Sequence, residues 1–294
     1  MVPPNLLSRI VRAALQEDIG PGDLTTRAVI PSPVRARGTV TAGQPLVVAG
    51  LEAARMAFMA LDPAADIHLE TADGARLDSG STLMVVEGDA ASMLAAERTA
   101  LNFLGRLSGI ATFTRRCVDQ AAGTGASILD TRKTTPGMRL LEKEAVRLGG
   151  GVNHRFGLYD AILIKDNHLA VVARAALPAS LPCPGAVGEA VRRAREFHGP
   201  DAPIEVEVED LAGLDEALAA GADLVLLDNM PVEMVARAVA RLRSSGSSAE
   251  LEVSGGITLE NLASFARTGV TRISIGALTH SAPSADVSFA LCPL

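Results

Sequence analysis

Along residues 6–15 the apolar positions Leu6, Leu7, Ile10, Val11, Ala14 and Leu15 recur at helical spacing, interrupted by Arg9 and Arg12. That pattern predicts a helix with one buried face. Residues 31–50 read as strand, turn, strand, with Gly43 and Pro45 at the turn. Residues 52–61 read as a helix, 67–86 as short strands, and 90–107 as a long helix carrying Arg98. From about Gly125 the pattern changes. Short aliphatic runs at 127–130, 161–165, 204–208, 224–228, 251–254 and 272–275 end in polar or glycine residues, at Asp130, Lys165, Glu207, Asp228, Ser254 and Gly276. Each run precedes a helical stretch at the spacing of a βα unit, so a parallel sheet with helical crossovers is expected. Six such runs are too few for an eight-stranded barrel. A barrel-like closure with fewer strands, or with one further weak strand, fits best, and a doubly wound open sheet is the alternative. In Ile204-Glu205-Val206-Glu207-Val208 the glutamates share one face and the valines the other. Two glutamates on a buried face need partners, as a polar barrel mouth would supply. The Pro- and Gly-rich stretch 178–188 reads as a surface loop, and 244–248 as a short connection.

Composition narrows the classes. The 294 residues are 48% hydrophobic and 21% charged, enough for a large packed core. The net charge of −7, the 3% aromatic content and the lack of Trp argue against a nucleic-acid surface. No uncharged apolar run approaches the roughly 20 residues that span a bilayer. The three cysteines, Cys117, Cys183 and Cys292, show no metal-ligand spacing. A soluble, cytoplasmic protein is the expectation.

Candidate chemistry gathers at the strand ends. Arg132 and Lys133 follow the first run in Asp130-Thr131-Arg132-Lys133-Thr134-Thr135-Pro136-Gly137, offering a planar fork and a compact charge to an anion. Asn153-His154-Arg155-Phe156-Gly157 and Lys165-Asp166-Asn167-His168 add cations and imidazoles. Glu207 and Asp228 at neighbouring strand ends suit a hydrated magnesium ion or sugar hydroxyls. Ser254-Gly255-Gly256-Ile257 and Gly276-Ala277-Leu278-Thr279 offer backbone amides to a phosphate at the last two loops. Together these describe a site for a small polyanion. Dinucleotide, Walker and zinc-protease motifs are absent from the sequence.

These stretches, with Glu17-Asp18-Ile19-Gly20, Asp23-Leu24-Thr25-Thr26, Glu97-Arg98-Thr99-Ala100-Leu101-Asn102 and Ser274-Ile275-Gly276-Ala277-Leu278-Thr279-His280-Ser281, resemble the quinolinate phosphoribosyltransferase family in order over nearly the whole chain. The resemblance implies an N-terminal α/β sandwich-like domain over 1–110, rejoined by the tail from about 280–294. It implies a seven-stranded parallel α/β barrel over 111–279. It also implies magnesium-dependent transfer of phosphoribosyl from its pyrophosphate to quinolinate, releasing pyrophosphate and CO2 and giving nicotinate mononucleotide. Arg132, Lys133, His154, Arg155 and Lys165 would then hold the quinolinate carboxylates, and Arg98 would join them from a neighbouring subunit of a homodimer or of an oligomer of dimers. Glu207 and Asp228 would take ribose hydroxyls and Mg2+, and with Lys133 form the catalytic set. Ser254, Gly255, Gly256 and Gly276 would cradle the 5-phosphate, with His280 close by. Two rivals stand beside this reading: a Schiff-base lyase using Lys133 or Lys165, and a non-catalytic or different-substrate relative associated with molybdate transport.

Overall fold

The computed structural model describes residues 3–30, 33–176, 185–199 and 202–294. Its elements run α1 (Pro4–Ile19), α2 (Leu24–Val29), β1 (Arg35–Ala42), β2 (Leu46–Val47), α3 (Leu51–Leu61), β3 (Asp66–Leu69), β4 (Arg76–Leu77), β5 (Thr82–Asp89), α4 (Ala90–Gln120), β6 (Ser127–Leu129) and α5 (Arg139–Leu148). They continue with β7 (Ile162–Ile164), α6 (Asp166–Ala176), α7 (Ala186–His198), β8 (Ile204–Val208), α8 (Leu211–Ala219), β9 (Leu224–Asp228), α9 (Val232–Ser245), β10 (Glu250–Ser254), α10 (Leu259–Ala266), β11 (Arg272–Ser274), α11 (Ala277–His280) and β12 (Val287–Pro293). The chain forms two compact units: Met1–Arg116 with Lys133–Gly151 and Ala277–Leu294, and Cys117–Arg132 with Val152–Gly276.

The first unit is built on an antiparallel sheet in the order β12-β1-β5-β3. Alternation along β1 buries Ala36, Val40 and Ala42, all at 2% exposure or less. Strand β12, from the end of the chain, pairs with β1 from Ala36↔Pro293 to Ala42↔Val287. Helix α4 is longer than the sequence suggested: it passes Leu107 and ends at Gln120. Ser108 and Gly109, just past the expected end, continue the helix and serve packing. Ser108 Oγ accepts the Ala49 amide at 3.0 Å. A Cβ on Gly109 would lie 2.1 Å from the Pro283 carbonyl oxygen, so only glycine lets the C-terminal tail lie against this helix.

The second unit holds six parallel strands in the order β6-β11-β10-β9-β8-β7. That order is the chain order with its first strand moved to the far end, and it contains no reversal of direction along the sheet. A doubly wound sheet requires such a reversal. One further bridge, Leu129↔Val152, lies beyond β6, supported by the Val152 amide on the Ile128 carbonyl at 2.8 Å. Across a flat sheet Val152 would be five strand spacings, roughly 24 Å, from β8. Yet His154, two residues further on, places Nε2 3.1 Å from Glu205 of β8. The sheet is therefore curled, and the architecture is that of an α/β barrel. All five residues of β8 are buried, as expected for a strand covered on both faces. Residues 186–188, read as part of a loop, are instead the first turn of α7, preceded by Gly185 at φ 97°. Residues 178–184 of that predicted loop lie outside the described residues.

Candidate active site

In the second unit one row of inward positions on the curled sheet is mostly polar. Glu207, Leu226, Glu252 and Arg272 lie side by side in register across β8, β9, β10 and β11. Glu205 and Glu207 are only 5% and 7% exposed, and Glu252 is fully buried. Each has a partner, as burial of a charge demands. His154 Nε2 lies 3.1 Å from Glu205 Oε2 and 3.3 Å from Glu252 Oε1. Arg272 Nε donates to Glu252 Oε2 at 2.8 Å, and Lys165 Nζ donates to Glu207 Oε2.

His154 is set by its own loop. Its backbone N–H donates to the Oδ1 of buried Asp130 at 2.9 Å, and its Nδ1 accepts the Arg155 backbone N–H at 2.8 Å. Burial disfavours charge on His154, but hydrogen bonds and Coulomb attraction from Glu205 and Glu252 outweigh it and raise the pKa to about 9. Burial likewise pushes the Glu252 carboxyl upward, while His154 and Arg272 pull it down further, so the net direction is down. Among the described residues His154, Glu205 and Glu252 form a set with metal-ligand spacing, their ligand atoms within 4.8 Å of one another. Coordination through Nε2 would require the proton to sit on Nδ1, where the Arg155 N–H is already aimed. The arrangement favours a proton shared with two carboxylates over a bound cation.

Beside it, the Arg155 guanidinium is held below its ordinary pKa first by burial and then by Arg132. Two crowded guanidiniums favour binding of an anion that relieves both. The loop behind them is tied down by Asp160, whose carboxylate accepts the Phe156 and Gly157 amides at 2.5 and 2.9 Å. At the next strand end the Lys165 amide donates to His168 Nδ1 at 2.9 Å, fixing the start of α6.

Asp228 and Ser254 pair in register at the ends of β9 and β10. The Asp228 carboxylate accepts the Asn229 side-chain amide at 2.7 Å, and the Asn229 backbone N–H donates to Ser254 O at 2.9 Å. Gly255 and Gly256 follow with φ of +91° and +63°. A Cβ on Gly255 would lie 2.2 Å from Asn229 Oδ1, so this loop can pass Asn229 only as glycine. Gly276 closes β11, whose continuation Ile275 donates its N–H to Leu129 O at 2.9 Å.

Thus Arg132, His154, Arg155, Lys165, Glu207, Asp228, Ser254, Gly255, Gly256 and Gly276 all belong to the second unit. Arg98, Lys133 and His280 belong to the first. There, the Lys133 carbonyl accepts Thr279 Oγ1 at 2.8 Å and His280 Nδ1 lies 2.6 Å from Ser281 Oγ. Arg98 stands on α4 with its side chain 65% exposed, 3.9 Å from Glu97. Sequence reasoning passed over Glu252 and Arg272. The parity argument used for Glu205 and Glu207 could have found Glu252, which shares a face with Ser254 two residues on.

Comparison with known proteins identifies the family. The family model for the C-terminal domain of quinolinate phosphoribosyl transferase matches residues 110–290. The model for the N-terminal domain of the same family matches residues 23–108. A nicotinate-nucleotide pyrophosphorylase [carboxylating] of Mycobacterium leprae is 44% identical over 287 residues, covering 96% of this chain and 95% of that protein. A probable one from Bacillus subtilis is 43% identical over 282 residues, covering 96% and 92%. Among solved structures, NadC from Streptococcus pyogenes superposes with a TM-score of 0.90 at 38% identity over 100% of this chain and 99% of that one. The nicotinate-nucleotide pyrophosphorylase from Francisella tularensis gives 0.89 at 36% identity, covering 99% and 98%. With both family domains matched in order and relatives this similar over nearly their full length, the chain belongs to the quinolinate phosphoribosyl transferase family.

Proposed function

We propose that this protein transfers the phosphoribosyl group of phosphoribosyl pyrophosphate to quinolinate with decarboxylation, giving nicotinate mononucleotide, pyrophosphate and CO2. The observation that carries the reading is the polar end of the barrel, where Arg132, His154, Arg155 and Lys165 gather with Glu207 and Asp228 in a chain matched by both family domains. The cations hold the two carboxylates of quinolinate, with Lys133, next in the chain after Arg132, added to them. Ser254, Gly255, Gly256 and Gly276 offer amides to the 5-phosphate, with His280 assigned beside it. Glu207 and Asp228 face the ribose, where negative charge stabilises the oxocarbenium character that develops as pyrophosphate leaves. The pyridine nitrogen attacks that carbon. The resulting pyridinium is the electron sink for loss of the adjacent carboxylate as CO2, and the carbanion left at that ring carbon takes a proton from solvent to give the product. Holding two polyanions in register supplies much of the rate.

A magnesium ion fits the donor set. Glu207 and Asp228 are hard oxygen ligands at adjacent strand ends, and magnesium is ordinarily held by one or two carboxylates together with substrate phosphates. When bound, the ion would neutralise the departing pyrophosphate. We further propose a homodimer, or an oligomer of dimers, in which Arg98 serves the partner's site. The exposed guanidinium on α4 and the family resemblance of its surroundings support that assignment. Among the described residues no helix is long and apolar enough to cross a membrane, and we assign the protein to the cytoplasm, where its substrates are small metabolites.

The test is turnover of quinolinate with phosphoribosyl pyrophosphate, with and without magnesium, followed by chromatography of nicotinate mononucleotide. Magnesium-dependent product is expected. Folded protein that makes none would sink the reading.

A further inference from the structure

Outside the residues assigned to substrate, the first unit contains an ion pair between buried Glu142 and the partly buried Arg106 whose side-chain hydrogen bonds lead to functional segments. Glu142 on α5 is fully buried. Its Oε1 accepts Arg106 Nε at 3.1 Å, Arg106 Nη2 at 2.8 Å and Thr135 Oγ1 at 2.8 Å, and its Oε2 accepts the Thr135 backbone N–H at 3.0 Å. Thr135 is two residues from Lys133. Arg106, on α4, spends its remaining donors on the other side: Nη1 on Ala282 O at 3.1 Å and Nη2 also on Thr279 O. Those two carbonyls flank His280. Thr279 Oγ1 then donates to Lys133 O at 2.8 Å, closing the circuit between the two segments.

We propose that Arg106 and Glu142 are positioning residues for the transfer reaction: as one pair they fasten the segment carrying Lys133 and the segment carrying His280 to α4 and α5. The proposal rests on the assignment of Lys133 and His280 to the substrate site. The physical argument is one of geometry over stability. A buried pair returns little net stability relative to apolar residues of the same volume, because desolvation offsets the attraction. What it does supply is direction. The guanidinium fork and the two carboxylate oxygens meet their partners at fixed angles, so the two segments are held in one arrangement. A four-residue helix is too short to fix that arrangement by its own backbone bonds.

A purely structural pair and a positioning pair respond differently when both members are removed together. The exchange Arg106→Met with Glu142→Leu should fold with a melting temperature close to the parent's. Its kcat/KM for quinolinate should fall about 100-fold, the scale of a misplacement of about 1 Å. Made in a Lys133→Ala background, the same exchange should cost far less, because its target is already gone. A folded double variant with the parent's kcat/KM, or full additivity with Lys133→Ala, would overturn the proposal. Arg106→Lys is the milder probe should the exchange unfold the protein. It keeps a cation against Glu142 but cannot reach both carbonyls, and a drop of about tenfold in kcat/KM at unchanged melting temperature is expected; parental kcat/KM would again overturn it. Parental activity in both Lys133→Ala and His280→Ala would remove the site assignment and the proposal together. Loss in those two with none in the exchange would remove the proposal alone.

Discussion

His154 shows how the barrel interior tunes a single side chain. Its side chain is only 9% exposed, and the two carboxylates at Nε2 raise its pKa from 6.5 to about 9. The folded-state value exceeds the unfolded one, so the stabilisation is complete below about 6.5 and is lost as pH climbs through about 9. The full shift corresponds to about 3 kcal/mol. Urea midpoints should therefore fall between pH 6 and pH 9.5, and the imidazole resonances of His154 should titrate near 9; titration near 6.5 would contradict the pairing. Glu252→Gln removes one carboxylate from His154 and leaves Arg272 only the exposed Glu250, at 4.0 Å, as a charged partner on β10. Breaking a buried pair on one side costs about 3–5 kcal/mol, so this variant should unfold at markedly lower denaturant and shift the His154 titration downward. An unchanged midpoint would show that Glu252 is not buried as charge.

At the scale of elements, α4 and the C-terminal tail decide one another. Glycine in a helix interior is ordinarily a weakness worth about 1 kcal/mol relative to alanine. At Gly109 the sign reverses, because the new methyl would meet the Pro283 carbonyl at 2.1 Å and the Ala285 nitrogen at 3.0 Å. Overpacking of this kind costs about 1–3 kcal/mol, against a propensity gain of about 1. Gly109→Ala should lower the melting temperature, and a rise would mean that the tail does not lie on this face. The Gly105 carbonyl, one turn earlier, accepts the Ala285 amide at 2.8 Å, so the same variant should also loosen the β12–β1 pairing, readable as faster amide exchange along β12.

At the scale of the whole molecule the proposal divides each active site between subunits. Arg98→Ala should abolish quinolinate turnover while leaving the protein folded, since the side chain is exposed and its ion pair with Glu97 is long, at 3.9 Å. Subunits carrying Arg98→Ala mixed with subunits carrying Lys133→Ala should regain part of the lost activity after exchange, because some mixed sites would contain both wild-type residues. No recovery after verified exchange would rule out sharing.

How much of this could be read without coordinates depends on the range of the interactions. The strand positions, the parity of Glu205 and Glu207 and the strand-end placement of Lys165, Asp228 and Ser254 follow from local periodicity, and the fold class followed from them. The end of α4 was misread because Ser108 and Gly109 are explained by contacts with Ala49 and Pro283, far away in the chain. Glu252 was overlooked because one glutamate in a short apolar run resembles an exposed edge residue until the sheet is known to curl. Arg106 and Glu142 give no local signal at all. Each looks like an ordinary helical charge, and only packing of α4, α5 and the segment 279–282 makes them a pair. Residue type and spacing along the chain were enough for the βα succession of the barrel, the family and the chemical character of the site. Tertiary structure alone decided which carboxylates share the proton of His154 and which glycines admit the tail, because those depend on distances between residues that the chain does not hold near one another.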